Sequence, residues 1–149
     1  MKIKGFCSWS CDTHGLEDRH DKYLYFFLFS SDDGMILKVG QGAGLKERIR
    51  HHKKMSSVNI PKQKTLVYSD SIFISATFKE CDYLESLILD RVKESFKLIN
   101  KVGSNQWGCK EWFNLGQSQA KAVDYCKSLR QEMFIKVNTV IHENRVSTQ

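Results

Sequence analysis

The densest apolar block is YLYFFLF at residues 23–29, where Tyr23, Tyr25, Phe27 and Phe29 alternate with Leu24, Phe26 and Leu28. A strand that is apolar on both faces is covered on both sides, so residues 23–30 predict a central strand. Ser30-Ser31-Asp32-Asp33-Gly34 is turn chemistry. Residues 35–40 predict a second short strand that closes a hairpin. The glycine-rich stretch at residues 40–44 is expected to break that strand, and residues 45–55 read as a helix. Over residues 65–78 Ile72, Ile74, Ala76 and Phe78 alternate with Phe73, Ser75 and Thr77, which predicts a third strand. A long helix over 80–99, a loop over 103–110, a short strand over 111–115, a helix over 117–134 and a last strand over 135–141 complete the reading. Strands interleaved with helices around a small sheet make an α+β or α/β domain.

Two of these helices turn charge inward. On residues 45–54 Leu45 and Ile49 mark the apolar face, and Arg48 and His52 fall beside and between them. On residues 80–99 Cys81, Leu84, Ile88, Val92, Phe96 and Ile99 form the apolar stripe, with Glu85 in its middle. A carboxylate there is costly unless it is paired or binds a cation. The pattern allows two readings: a buried Arg48–Glu85 ion pair with His52 hydrogen-bonded in the core, or a set of residues lining a site.

Composition narrows the class. The chain has 149 residues, 41% hydrophobic and 27% charged, which fits one globular domain with a sizeable core. A single proline and the lack of Ser/Gly/Pro-rich tracts argue against a long linker. The longest unbroken apolar run is far short of the ~20 residues a bilayer span needs, and MKIKGFCSWSCDTHG has no apolar signal-peptide core. A cytoplasmic protein with no membrane partner is therefore expected, its five cysteines reduced. The net charge of +6 is localised: residues 38–64 hold eight Lys/Arg and one acid, whereas the rest holds 15 bases and 16 acids. A basic segment of that kind is the footprint of a polyanion or a solvated lysine face.

Taken in order, these segments resemble the GIY-YIG nuclease family. Tyr23-Leu24-Tyr25 stands where the first tripeptide would be, and Lys38-Val39-Gly40 where the second would be, with lysine in place of tyrosine. Leu45-x-x-Arg48-x-x-x-His52 looks like the arginine helix, and Glu85-Ser-Leu-Ile matches the glutamate helix. Asn100 resembles an asparagine just past that helix, and Glu111-Trp112-Phe113 a closing segment of phage-type members. The resemblance implies an α+β fold, a small central mixed or antiparallel sheet flanked by helices. It divides the chain into an N-terminal segment (1–22), a nuclease-like domain (23–115) and a C-terminal helix and tail (116–149) of the same globule.

The resemblance also implies a metal-dependent DNA endonuclease. Glu85 would hold one Mg²⁺ or Mn²⁺, as suits a hard cation with phosphate and water as its other ligands. Arg48 would bind the scissile phosphate through its planar fork. Tyr25 would act as base, helped by the Lys38 cation because a free phenol titrates near ~10. His52 would share the base role or hold phosphate. Arg50, Lys53, Lys54 and Asn100 would contact the DNA, most readily a duplex, and cutting two strands would call for a homodimer, a higher oligomer or successive nicks. Two other functions remain open at this point: a non-catalytic nucleic-acid-binding module on the same fold, and a factor whose basic face meets an acidic protein. Cys7, Cys11, His14 and Cys109 offer a loose zinc spacing, for which buried free thiols are the plainer account. Trp107 and Trp112 are candidates for base stacking or core anchoring. Gly40-Gln41-Gly42-Ala43-Gly44 is neither a dinucleotide fingerprint nor a P-loop, and reads as a turn permitting close backbone approach.

Overall fold

The computed structural model describes residues 18–57, 60–99 and 112–147. Its first strand, β1 (His20–Ser31), carries the aromatic block and turns through Gly34, whose φ of 112° is a left-handed value suited to glycine, into β2 (Gly34–Gly42). Helix α1 (Leu45–Lys54) follows, then β3 (Thr65–Ala76), α2 (Phe78–Lys93), the short β4 (Trp112–Asn114) and α3 (Gln119–Ser147). The strands form one antiparallel sheet in the order β3-β1-β2-β4, so the aromatic strand is internal as expected. The fold is α+β.

Strand alternation divides the side chains into two layers. Leu24, Phe26 and Leu28 face one way with Leu37, Val39, Ile72 and Ile74, and are covered by Leu84, Ile88 and Val92 of α2 and by Cys126, Leu129, Met133 and Val137 of α3. Tyr25, Phe27, Phe29 and Ile36 face the other way, joined by Trp112 and Ile60, and are covered by Leu45 and Ile49 of α1. Burial of both faces accounts for the unbroken apolar run.

The phase of α2 is set at its start by a capping box. The Glu80 N–H donates to Thr77 Oγ1 at 3.2 Å, and the Thr77 N–H donates to Glu80 Oε1 at 2.9 Å.

Three expectations from the pattern are corrected. Helix α2 ends at Lys93 and does not reach residue 99. The Ile99 N–H donates to the Trp112 carbonyl at 2.8 Å and Leu98 bridges to Phe113, so pairing with β4 competes successfully with helix continuation. Residues 135–141 are not a strand but the continuation of α3. Their β-branched residues favour a strand locally, yet Met133 and Val137 extend the helical stripe into the core, and packing overrides propensity. Gly40 and Gly42 do not break β2 but lie inside it.

Candidate functional site

Tyr25 is buried on the α1 face of β1, stacked on Phe27 at 4.3 Å between ring centroids. Its cross-strand partner is Gly40. A Cβ added at Gly40 would fall 2.6 Å from Tyr25 Cζ, so the phenol ring lies directly on bare backbone. The Tyr25 hydroxyl is 3.0 Å from Nε2 of His52, on the inner side of α1.

His52 is buried and held neutral. Burial first, then the cationic neighbours Lys38, His51, Arg48 and Lys64, push its imidazole down to about 3. Nδ1 is buried without a hydrogen-bond partner among the described residues. A neutral ring carries one proton, and an orphaned N–H is rarer than an under-used acceptor. The proton therefore belongs on Nε2, from which it is donated to the Tyr25 oxygen.

Lys38 is buried on the same sheet face, with Nζ 5.7 Å from the centroid of the Trp112 ring. Trp112 itself is fully buried, so of the two indoles weighed for base stacking this one is a core anchor.

Arg48 and Glu85 approach from opposite sides of the sheet, against the neighbouring residues Gly42 and Gln41 at the end of β2. Arg48, half-buried one turn before His52, lies over Gly42: a Cβ there would be 2.8 Å from its Nε and 3.4 Å from its Cζ. Glu85, half-buried on α2, accepts from Gln41 Nε2 at 2.8 Å, and the same amide donates to Asp82 Oδ1 at 2.9 Å. Lys22 Nζ donates to Gln41 Oε1 at 3.3 Å, completing the fixation of the amide. Three consecutive residues thus seat three side chains: Gly40 carries Tyr25, Gln41 holds Glu85, and Gly42 carries Arg48.

The Asp82–Glu85 pair puts hard oxygen donors at one spot. Among the described residues no group of three or more His, Cys, Asp or Glu is assembled. That donor set fits a magnesium-type cation, which binds through one or two carboxylates and leaves positions for substrate oxygens; it does not fit a closed structural zinc site.

Arg50, Lys53 and Lys54 are exposed on the outer side of α1, beside the site. Lys64 departs from the basic-patch reading. It is buried, and its Nζ donates to the carbonyls of Lys53 in the last turn of α1, of Met55 at its C-cap and of Pro61 in the segment that follows. Burial lowers its pKa to about 8, which leaves it charged at neutral pH. Asn100, Glu111, Trp107 and the Cys7/Cys11/His14/Cys109 group lie outside the described residues. Gln41 was invisible to helical and strand periodicity; the only signal was a polar residue between two glycines at a strand end.

The T5orf172 domain family matches residues 22–130, a span that includes most of β1, all of β2, β3 and β4, α1, α2 and the start of α3. This domain occurs in phage and other nucleases, including homing endonuclease-like proteins. Neither the curated proteins nor the solved structures contain a match to the chain. No helix among the described residues is long and apolar enough to cross a membrane.

Proposed function

The chain belongs to the T5orf172 domain family, and from that premise we propose that it is a metal-dependent DNA endonuclease with a single GIY-YIG-type active site. The observation that carries this reading is the convergence of Tyr25, Glu85 and Arg48 on Gly40, Gln41 and Gly42. A protein that only binds DNA has no use for a carboxylate fixed by the strand residue that adjoins the seat of a phosphate-binding arginine.

Phosphodiester hydrolysis needs a proton acceptor for the attacking water and relief of charge at phosphorus. Tyr25 supplies the acceptor. The His52 Nε2–H donates to its oxygen, and the buried Lys38 cation lies on the same face; both favour negative charge on the phenol oxygen. Arg48 offers a planar guanidinium, supported from beneath by the Gly42 backbone, to two oxygens of the scissile phosphate. Glu85, with Asp82 beside it, is the residue that would hold Mg²⁺ or Mn²⁺, whose positive charge when bound neutralises the phosphate. Arg50, Lys53 and Lys54 continue the positive surface along a DNA backbone. One site of this kind cuts one strand, so a double-strand break takes two molecules or two successive nicks.

The test is supercoiled plasmid incubated with Mg²⁺, Mn²⁺ or EDTA, wild type against Glu85→Gln. Metal-dependent nicking that disappears in the variant supports the assignment. Retardation of the DNA without cleavage in any metal would instead identify a binding module.

A further inference from the structure

On the α1 face of the sheet one cross-strand row ends in an exposed aromatic. Gly42 pairs with Tyr23, and Tyr23 pairs with Phe73. Tyr23 continues the alternation of Tyr25 and Phe27, and Phe73 alternates with Ile72 and Ile74, which face the α2–α3 side; both rings therefore lie on the side of Arg48. Phe73 is 55% exposed although it lies inside β3. Tyr23 meets it edge to face at 5.4 Å, which restrains the ring while more than half of it stays exposed.

The row places this ledge beside the proposed phosphate site. Neighbouring strands are ~4.8 Å apart, so the Phe73 backbone lies about 10 Å from Gly42, the seat of Arg48. That is within reach of the base next to a phosphate held by Arg48. The surrounding charge suits a nucleic acid, since Arg48, Arg50, Lys53 and Lys54 all belong to the helix on this face. A phenyl ring offers no hydrogen bond and so reads no base edge, but any base has a face to stack on it. Inside a duplex that face is covered by neighbouring pairs.

We propose that the Tyr23–Phe73 ledge is a stacking site for an unpaired nucleobase adjoining the phosphate bound by Arg48. The inference rests on the phosphate-binding role given to Arg48 above. It makes the preferred substrate a DNA with an extruded or unpaired nucleotide next to the scissile bond, and the preference is independent of which base is present.

The experiment is fluorescence anisotropy in EDTA with three DNAs: a plain duplex, the same duplex with one unpaired adenine, and the same with an abasic analogue at the unpaired position. Wild type should bind the adenine DNA about tenfold or more tighter than the abasic one, the range expected for one stacked base. Phe73→Ala should abolish that ratio, Phe73→Tyr should retain it, and Arg48→Ala should weaken binding to all three DNAs alike. Equal binding of adenine and abasic DNAs by wild type overturns the ledge, as does a ratio that survives Phe73→Ala. A wild-type dimer that dissociates in Phe73→Ala, seen by sedimentation, would make the ledge a contact between copies and also overturn it. Wild type that cuts plasmid but shows no adenine preference defeats the ledge alone; wild type that binds none of the DNAs defeats the nuclease reading as well.

Discussion

The Tyr25 hydroxyl and His52 Nε2 stand 3.0 Å apart, tying the central strand to helix α1 in the protein interior. Burial among cationic groups keeps the imidazole in this contact neutral. The consequence is a pH dependence of stability. The unfolded chain takes a proton on this histidine as pH falls through 6.5, but the folded protein resists until about 3. Stability from this group is complete above pH 6.5 and is lost between 6.5 and 3, at up to about 1.4 kcal/mol per pH unit. His52→Gln keeps a donor and removes the titration. Urea unfolding from pH 7 to pH 4 should show a shallower acid decline in the variant. Parallel declines would mean that His52 is charged in the fold.

Gly40 and Gly42 are adjacent in role and should fail differently. Alanine at Gly40 collides with a buried ring that has nowhere to go, being stacked on Phe27 and bonded to His52. Overpacking of that kind costs about 1–3 kcal/mol, so Gly40→Ala should lower thermal stability and cleavage together. Alanine at Gly42 meets the Arg48 side chain, which is half-buried and able to swing away. Gly42→Ala should melt near the wild-type temperature and lose cleavage. Equal melting losses in the two variants would show that Arg48 is as firmly packed as Tyr25.

Gln41 is a positioning residue. Its amide holds Glu85 and Asp82 without adding charge. Gln41→Ala frees the Glu85 rotamer, so the Mg²⁺ concentration for half-maximal cleavage should rise several-fold, with a smaller fall in the rate at saturating Mg²⁺. Gln41→Glu adds a third carboxylate to the pair and should destabilise the metal-free protein, with recovery on adding Mg²⁺. A Gln41→Ala titration that overlays wild type would remove Gln41 from the site.

Much of this arrangement was legible along the chain because it is helical. Arg48 and His52 on the inner side of α1, and Glu85 in the stripe of α2, follow from a 100° step; His52 is buried there, and Arg48 and Glu85 are half-buried. The two-faced strand was equally plain. What could not be read was the sheet register. Only the pairing of β1 with β2 shows that Tyr25 rests on Gly40, and only that pairing turns a glycine-rich stretch from a strand-breaker into a set of seats. The strand expected over 135–141 failed for the opposite reason: β-branched residues spoke for a strand locally, while the core contacts of Met133 and Val137 hold the segment in α3.

Lysine in the basic segment illustrates the same limit and yields a last test. Lys54 and Lys64 are indistinguishable in a charge count, but Lys54 is exposed on α1 whereas Lys64 is buried with three carbonyl acceptors. The carbonyls at a helix C-terminus have no partner within the helix, and a buried acceptor that loses its donor costs about 1–3 kcal/mol. Lys64→Met, similar in volume, should therefore lower stability by that amount and fray the turn that carries His52, so that cleavage falls with it. Lys54→Met should leave melting unchanged and reduce the salt dependence of DNA binding by about one unit of slope, as expected for one lost phosphate contact. Melting curves and salt titrations on the two variants separate a lysine that holds the helix from one that meets the DNA; unchanged melting in both would place Lys64 on the surface, and a loss in both would give Lys54 a structural role.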